Sequence, residues 1–246
     1  MIERQRIAGA VILVAAYGSA WGGPPFVTDD PEPVDHRQWE INYAITRTWG
    51  NGDVSAGVPS VDINYGVVPN VQLHAQPRYS YEKHGDEAHY GIDDTEIGVK
   101  YRFVNIEREN STFMVGIYPM YQVATGVRAL GPDRGKHQMF LPVWVQHDTD
   151  NWTVYGGWGY RINPGEGNRN SVFTGVTVLR DISEGVQLGG EFFRETPDTI
   201  GGKRLNGFNL GGVVRIARNY NLLFSAGERM SDQVAHSVYV ALQAHY

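Results

Sequence analysis

The chain has 246 residues, with 21 Lys and Arg against 27 Asp and Glu, a formal net charge of −6 and no cysteine. The acidic balance argues against a nucleic-acid partner, because phosphate binding needs clustered Lys and Arg. The lack of cysteine excludes disulfides and thiol chemistry. Mean hydropathy is −0.35, and after the N-terminal segment no apolar run approaches the ~20 residues of a membrane-spanning helix.

The first 20 residues have the pattern of a secretion signal. Arg4 and Arg6 precede a short apolar run at 7–17, and small residues at 18–20 suit a cleavage site. A buried or spanning helix is the alternative, but a spanning helix needs ~20 residues, more than the run offers. We therefore predict a signal peptide at 1–20, a proline-rich leader at 21–37 and one further domain at 38–246.

That domain consists of short segments in which apolar and polar residues alternate. A period of two is typical of β-strands whose two faces have different surroundings. The clearest case lies near 71–82, and another ends the chain. The predicted strands cover 38–48, 56–67, 71–82, 93–104, 112–124, 137–147, 151–161, 171–180, 185–195, 206–217, 220–229 and 235–246.

The connections favour a membrane barrel over a soluble sandwich. Those after even-numbered strands are short, whereas those after odd-numbered strands are mostly longer, for example 49–55 and 83–92. Outer-membrane barrels combine short periplasmic turns, longer outer loops, an even strand count and aromatic girdles, and the chain has 14 tyrosines and six tryptophans. We predict an all-β, transmembrane, antiparallel up-and-down barrel of about 12 strands in the outer membrane of a Gram-negative bacterium. Both termini would lie in the periplasm, and the proline-rich leader would lie either loose in the periplasm or inside the barrel.

The polar face of the strands would then line the lumen. Its charged members are Glu40, Asp62, His74, Arg78, Glu82, Asp94, Glu96, Lys100, Arg102, Glu191 and Arg215. One hypothesis is a lumen that is acidic towards the outside and more basic near the periplasm. The alternative, which we favour, is a salt-bridge network that fills and stiffens the interior.

A register can be proposed for the third and fourth strands if they pair through a loop near 83–92. Arg78 would then lie beside Glu96 or Gly98, and Glu82 would stand with Asp94 towards the outer mouth. Met139 to Val145 is apolar on both faces, so the sixth strand is expected to pack against something inside the barrel. Prolines in or beside strands are expected to mark bulges.

The end of the chain has the features of an assembly signal. Leu242, Ala244 and Tyr246 share the apolar face of the last strand, and the chain ends on the aromatic Tyr246. Barrel-assembly machinery commonly reads such an ending. We therefore predict this machinery and outer-membrane lipids as partners.

Candidate enzymatic motifs are weak. His147-Asp148-Thr149-Asp150 suggests a metal or hydrolase site, but Asp is favoured in a tight turn for its local backbone bonds. Ser237 follows His236, and adjacent residues of a strand point to opposite faces. No catalytic residue, metal site or cofactor is predicted.

Two segments carry a resemblance to a known family. The opening from Gly23 to Val34, followed by Trp39-Glu40, resembles the start of a large outer-membrane barrel family, and the segment 121–126 is also similar. The family is named for a proposed role in the meta-cleavage pathway of phenol degradation, and its members are often labelled transporters. The resemblance implies a barrel fold and a passage for small compounds, aromatic or hydrophobic ones included. It assigns no functional residue.

The expected function is therefore a porin-like outer-membrane channel or transporter for small, aromatic or hydrophobic compounds. Two alternatives stay open. One is a structural or adhesive surface barrel whose outer loops do the work, and the other is a barrel-embedded enzyme.

Overall fold

The computed structural model describes residues 24–130 and 135–246. The predicted signal peptide at 1–20 and the first three residues of the predicted leader lie outside the described residues. The remainder of the leader is described up to the first strand, and we use the name leader for residues 24–37.

The described chain is almost entirely β-structure, with one short 3₁₀ helix at Arg128–Leu130. No helix in the described ranges is long and apolar enough to cross a membrane. The strands are β1 (Trp39–Gly50), β2 (Asp53–Val68), β3 (Val71–Gln76), β4 (Arg78–His84), β5 (Glu87–Ile92), β6 (Thr95–Arg108), β7 (Ser111–Ile117), β8 (Met120–Val123), β9 (Gln138–Thr149), β10 (Trp152–Ile162), β11 (Ser171–Ser183), β12 (Val186–Glu195), β13 (Leu205–Ala217), β14 (Tyr220–Met230) and β15 (Val234–His245).

The sheet closes on itself. β1 pairs antiparallel with β2 on one side and with β15 on the other, so the first and last strands share one ladder. Three crossings are each divided into two strands: β3 with β4, β5 with β6, and β7 with β8. Counted by crossings, the chain forms a closed antiparallel barrel of twelve strands, as predicted.

Prolines account for several of the irregularities. Pro77 separates β3 from β4, Pro119 lies between β7 and β8, and the register of β2 shifts around Pro59. Proline has no N–H to donate to a ladder, so pairing is interrupted where it falls. Pro142 stays within β9 opposite Gly159, without a break.

The two ends of the barrel differ. At one end, which we call the terminal end, β1 begins and β15 ends, and every connection is a two-residue turn. These turns lie at 69–70, 109–110, 150–151, 184–185 and 218–219. At the opposite end, the loop end, the longer connections 124–137, 163–170 and 196–204 occur. The predicted long loops at 49–55 and 83–92 are wrong, because the strands continue to two-residue turns at 51–52 and 85–86.

The proposed register of the third and fourth strands is also wrong. Glu96 lies opposite Gln76 rather than Arg78, and Glu82 lies opposite His89 rather than Asp94. The cause is the tight turn at 85–86. This turn lies closer to the third strand than the middle of the expected loop at 83–92, so the opposing residues are shifted.

The outer wall of the barrel is apolar and exposed. Tyr79, Ile97 and Leu242 expose 41%, 44% and 39% of their surface, whereas Asn42, Thr177 and Gln146 are fully covered on the inner side. A soluble fold would show the reverse arrangement, with apolar residues enclosed and polar residues in water. The alternation therefore separates a lipid-type outer face from a polar interior.

An aromatic cluster fills part of the interior. It comprises Tyr118, Phe140, Trp144, Phe173 and Phe193. The glycines of the neighbouring strands make room for these rings. A Cβ added at Gly157 would lie 2.9 Å from Cε3 of Trp144. This cluster is what the sixth predicted strand packs against, and it explains why β9 is apolar on both faces.

Placing a charge on the outer wall should destabilise the folded barrel in a bilayer. We expect Ile97→Lys to lower the free energy of unfolding by about 2–4 kcal/mol, because an ammonium on the lipid face loses its hydration. Denaturant titration in lipid vesicles measures this difference. Ile200→Lys is the matched control, since Ile200 is 75% exposed in a loop. Equal stability of the two variants would contradict the assignment of the outer face.

Candidate functional site

The leader runs through the lumen and contacts strands on all sides of it. Its backbone or side chains meet inward-facing residues of seven strands, namely Gly66 on β2, Gln72 on β3, Lys100 on β6, Gly116 on β7, Gly175 on β11, Glu191 on β12 and Ser225 on β14. The leader is therefore a plug within the barrel.

Glu191 of β12 holds the start of the leader. Its Oε1 accepts the backbone N–H of Val27 at 2.8 Å, and its Oε2 accepts that of Thr28 at 2.8 Å. Asn209 of β13 also donates its side-chain amide to Oε1 at 2.6 Å. Because four prolines between 24 and 33 prevent regular secondary structure, the leader's N–H groups need partners of this kind.

Lys100 of β6 holds the middle of the leader. Its Nζ lies 3.0 Å from Oδ1 of Asp29 and 3.4 Å from Oδ1 of Asp30, and it donates to the carbonyl oxygen of Glu32 at 3.3 Å. The same ammonium lies 4.9 Å from the ring centre of Tyr118, close enough for a cation–π contact. The lysine side chain is 6% exposed, and the two leader aspartates are its ion-pair partners.

The leader brings more carboxylates than the lysine can neutralise. Burial raises the pKa of Asp30 to about 7 against the opposing effect of Lys100. Burial, and then the neighbouring Asp30, raise the pKa of Glu32 to about 8. A neutral Glu32 therefore relieves part of the negative charge within the docked leader at pH 7.

Glycines at inward positions give the leader its path. A Cβ at Gly66 would lie 2.6 Å from the carbonyl oxygen of Val34, and one at Gly116 would lie 3.0 Å from Cβ of Pro31. At Gly175 the added atom would collide with Oγ1 of Thr28. The wall positions that lack side chains are therefore occupied by backbone and side-chain atoms of the leader.

A second polar group surrounds His74 on β3. Its Nδ1 lies 2.9 Å from Oδ1 of Asp62, and its Nε2 lies 3.5 Å from Oε1 of Glu96. Asn42 and Asn64 donate to the two oxygens of Asp62 at 3.2 and 3.0 Å. Three predicted lumen residues thus meet in one network, and Glu40 adjoins it through Asn42.

Two neighbouring aspartates fasten the wall and a loop. Asp93 accepts Ser80 Oγ at 2.7 Å and lies 3.9 Å from Arg78 Nη1. Asp94 accepts the backbone N–H of Gly126 at 2.7 Å and also that of Gly135. Asp94 therefore binds the ends of the 124–137 connection to the wall.

The other predicted lumen residues are dispersed. Glu82 is buried and accepts Ser55 Oγ at 2.8 Å. Arg102 donates to Oδ1 of Asn70 at the terminal end, where Arg215 is exposed. Ion pairs are present at His74, Arg78 and Lys100, and their stiffening role stays a prediction. The ion selectivity of the lumen stays a prediction.

Two of the predicted assembly residues, Leu242 and Ala244, lie on the outer face of β15, and Tyr246 follows the strand. Leu242 and Tyr246 are exposed, whereas Ala244 is covered where it lies between Ile41 and Tyr220. Their role in assembly also stays a prediction.

A cleft of about 410 Å³ opens in the barrel wall where β7 and β8 are separated. Outward-facing apolar residues make up most of its lining: Leu73, Ile97, Val99, Tyr121 and Met139. His74, Gly98, Pro119 and Met120 form the remainder, and Met120 also packs against the aromatic cluster. A Cβ at Gly98 would lie 3.0 Å from the Tyr118 ring. The cleft therefore lies on the apolar outer face, next to residues that contact the interior aromatics.

Removing the Glu191 carboxylate should loosen the leader. In Glu191→Ala, two buried backbone donors lose their partner at a cost of about 1–3 kcal/mol each. We expect faster limited proteolysis within residues 24–37 and a larger single-channel conductance in planar bilayers. Glu195→Ala is the matched control on the same strand, because Glu195 pairs with Arg161 and Ser171. Unchanged protection and conductance in Glu191→Ala would show that this contact does not hold the plug.

Removing the Lys100 charge should release the middle of the leader. Lys100→Met leaves Asp29 and Asp30 without their buried cation, and breaking a buried pair in this way costs about 3–5 kcal/mol. We expect faster proteolysis of the leader together with a stronger preference of the pore for cations, measured as a reversal potential. Lys203→Met, which breaks the exposed pair with Asp232, serves as the control. The same reversal potential and the same protease protection in both variants would refute the role of Lys100.

Comparison with solved structures identifies the fold. An outer membrane channel from Pseudomonas putida F1 superposes with a TM-score of 0.63 at 11% identity, over 87% of this chain and 99% of that one. The KdgM porin matches with a TM-score of 0.54 at 10% identity, over 83% and 98% of the two chains. The translocator domain of the autotransporter NalP from Neisseria meningitidis matches with a TM-score of 0.53 at 14% identity, over 86% and 89%.

No protein-family model matches the chain, and no curated protein is significantly similar to it in sequence. The structural likenesses therefore concern architecture. The chain has the fold of an outer-membrane, porin-like β-barrel.

Proposed function

We propose that this protein is an outer-membrane channel that admits small hydrophobic or aromatic compounds through the cleft in its wall. Its termini and two-residue turns face the periplasm, and the longer loops face outwards. The barrel fold, the exposed apolar outer face and the likeness to channel barrels support the location and the general role. We propose passage rather than catalysis as its activity.

The leader restricts what can pass along the barrel axis. It contacts seven strands and is anchored near both ends of its path, by Glu191 at Val27 and by Gln72 at Val34. The buried aromatic cluster occupies further space in the interior. A large hydrated solute therefore has no wide axial path while the leader is docked.

The wall cleft is the observation that carries the proposal. Its volume of about 410 Å³ falls in the range of small-molecule sites. Its apolar lining continues the lipid-facing surface, so a hydrophobic compound dissolved in the bilayer reaches it without crossing water. Inside, Met120 and Tyr118 lead to the rings of the aromatic cluster, which favour flat apolar compounds through stacking and edge-to-face contacts.

The cleft also explains the preference for small and uncharged compounds. Each buried CH₂ group contributes about 0.8 kcal/mol to transfer from water, whereas a charged group would lose its hydration against this lining. His74 is the one imidazole among the described residues that line it, and its ring nitrogens face Asp62 and Glu96.

Narrowing the cleft should reduce uptake of aromatic solutes. We expect Met139→Trp to lower toluene flux into proteoliposomes several-fold, because the larger side chain fills the outer part of the cleft. Small-ion conductance should stay the same, since the leader is untouched. Val145→Trp is the matched control, as Val145 faces outwards on the same strand away from the cleft.

The outcomes separate the proposed route from the other functions. Equal toluene flux in Met139→Trp and in the unaltered protein would exclude the wall route. The absence of any solute flux in the unaltered protein, with or without residues 24–37, would instead favour a structural or adhesive barrel.

A further inference from the structure

A shallow groove lies on the outer surface at the loop end of β1, β2 and β4. Its volume is about 510 Å³. Three small or branched residues of β2 form the floor, and longer side chains of the flanking strands form the sides. The lining residues are Arg47, Val54, Ala56, Val58, Tyr81 and Lys83.

The orientation of these side chains follows from their neighbours. Ser55 and Glu82 bond to one another on the lumen side, and Thr46 accepts the N–H of Gly57 there. Residues alternate between the two faces of a strand, so Arg47, Val54 and Lys83 point away from the lumen. The groove is therefore a feature of the lipid-facing wall.

Two cations border this groove. Across the ladder, Arg47 is opposite Ala56 and Lys83 is opposite Val54, which places β2 between them. Two strand spacings across the sheet and a two-residue offset along it separate their backbones by about 12 Å. Within residues 24–130 and 135–246, no carboxylate is recorded within 4 Å of either cation. The nearby Asp53 pairs with His84.

The two cations lie at the upper border of the apolar wall. The outward residues below them on β1, Ile45 and Tyr43, are 55% and 47% exposed and apolar. The Arg47 guanidinium lies 5.3 Å from the ring centre of Trp49, as expected where an aromatic girdle meets lipid headgroups. A cation at this height attracts anionic headgroups without being placed in hydrocarbon.

We propose that the groove binds a phosphorylated glycolipid of the outer leaflet, of the lipid A type. Its phosphates contact Arg47 and Lys83, and an acyl chain lies over Val54, Ala56 and Val58. Two cations on β1 and β4, with β2 between them, suit a headgroup with a phosphate at each end of a disaccharide, whereas a phospholipid offers one phosphate. This site requires that the loop end of the barrel faces outwards, as in the proposed function. It is separate from the lumen and from the wall cleft.

Native mass spectrometry of the detergent-solubilised protein tests the proposal with purified diphosphorylated lipid A as the probe. We expect the double variant Arg47→Gln/Lys83→Gln to bind it about tenfold more weakly or worse, because charge-assisted bonds to phosphate are lost. Enzymatically dephosphorylated lipid A should bind the unaltered protein as weakly as intact lipid A binds the double variant. This measurement needs no variant. Heat-modifiable gel mobility confirms that each variant is folded.

Arg180→Gln is the matched control. Arg180 also stacks on a tryptophan, Trp152, at 5.2 Å, but it lies towards the terminal end. This variant should bind lipid A like the unaltered protein. Equal affinity of the Arg47/Lys83 double variant and the unaltered protein would overturn the proposal. The proposal would also be overturned if phosphatidylglycerol bound as tightly as lipid A and depended in the same way on the two cations.

The result is independent of the transport proposal. Toluene flux should be unchanged in the double variant. If the unaltered protein binds lipid A but carries no toluene, the proposed channel is contradicted. The glycolipid site then still stands.

Discussion

The ladder between β1 and β15 is the constraint on which the rest of the structure depends. Ten residue pairs, from Glu40 with His245 to Trp49 with His236, join the first strand to the last. In hydrocarbon every backbone N–H and C=O needs an internal partner, so an open edge would not be tolerated. Closure creates an enclosed interior, and the alternation of side chains then determines that this interior is polar.

A closed interior of this size has to be filled or hydrated, and here the chain fills it with its own N-terminal segment. The leader supplies unpaired backbone groups and carboxylates, while the wall supplies Glu191, Gln72 and Lys100 as partners. Glycines on several strands leave room for the leader backbone. The plug and the inner wall are therefore complementary in charge, hydrogen bonding and shape.

The architecture could be predicted from the sequence because it depends on local signals. Alternation, turn residues and strand length gave twelve crossings and the orientation of Tyr79, Ile97 and Leu242. The register of the third and fourth strands depends on which residues close the hairpin, and it was missed because Gly85-Asp86, a two-residue hairpin signal, was placed inside a longer loop. Pro77 and Pro119 indicated interruptions but did not show that a cleft would form beside one of them.

The position of the leader inside the barrel was one of two alternatives, but its contacts were beyond prediction for a different reason. Val27 and Glu191 are 164 positions apart, and an irregular proline-rich segment has no periodicity that would point to its partners. Charged residues such as Glu191 and Lys100 could be assigned to the lumen by their phase in the strand, but what they bind could not. The glycines at 66, 116 and 175 were the available signal, because inward positions without side chains leave space for another part of the chain.

The position of Tyr118 links two regions that otherwise look separate. Its ring faces the Lys100 ammonium that holds the leader, and it also lies against Gly98 at the base of the wall cleft. A solute that moves this ring on binding in the cleft changes the environment of the leader's anchor. Thermodynamic linkage then makes the effect mutual. The factor by which a bound solute changes the docking equilibrium of the leader is also the factor by which leader docking changes the affinity for the solute.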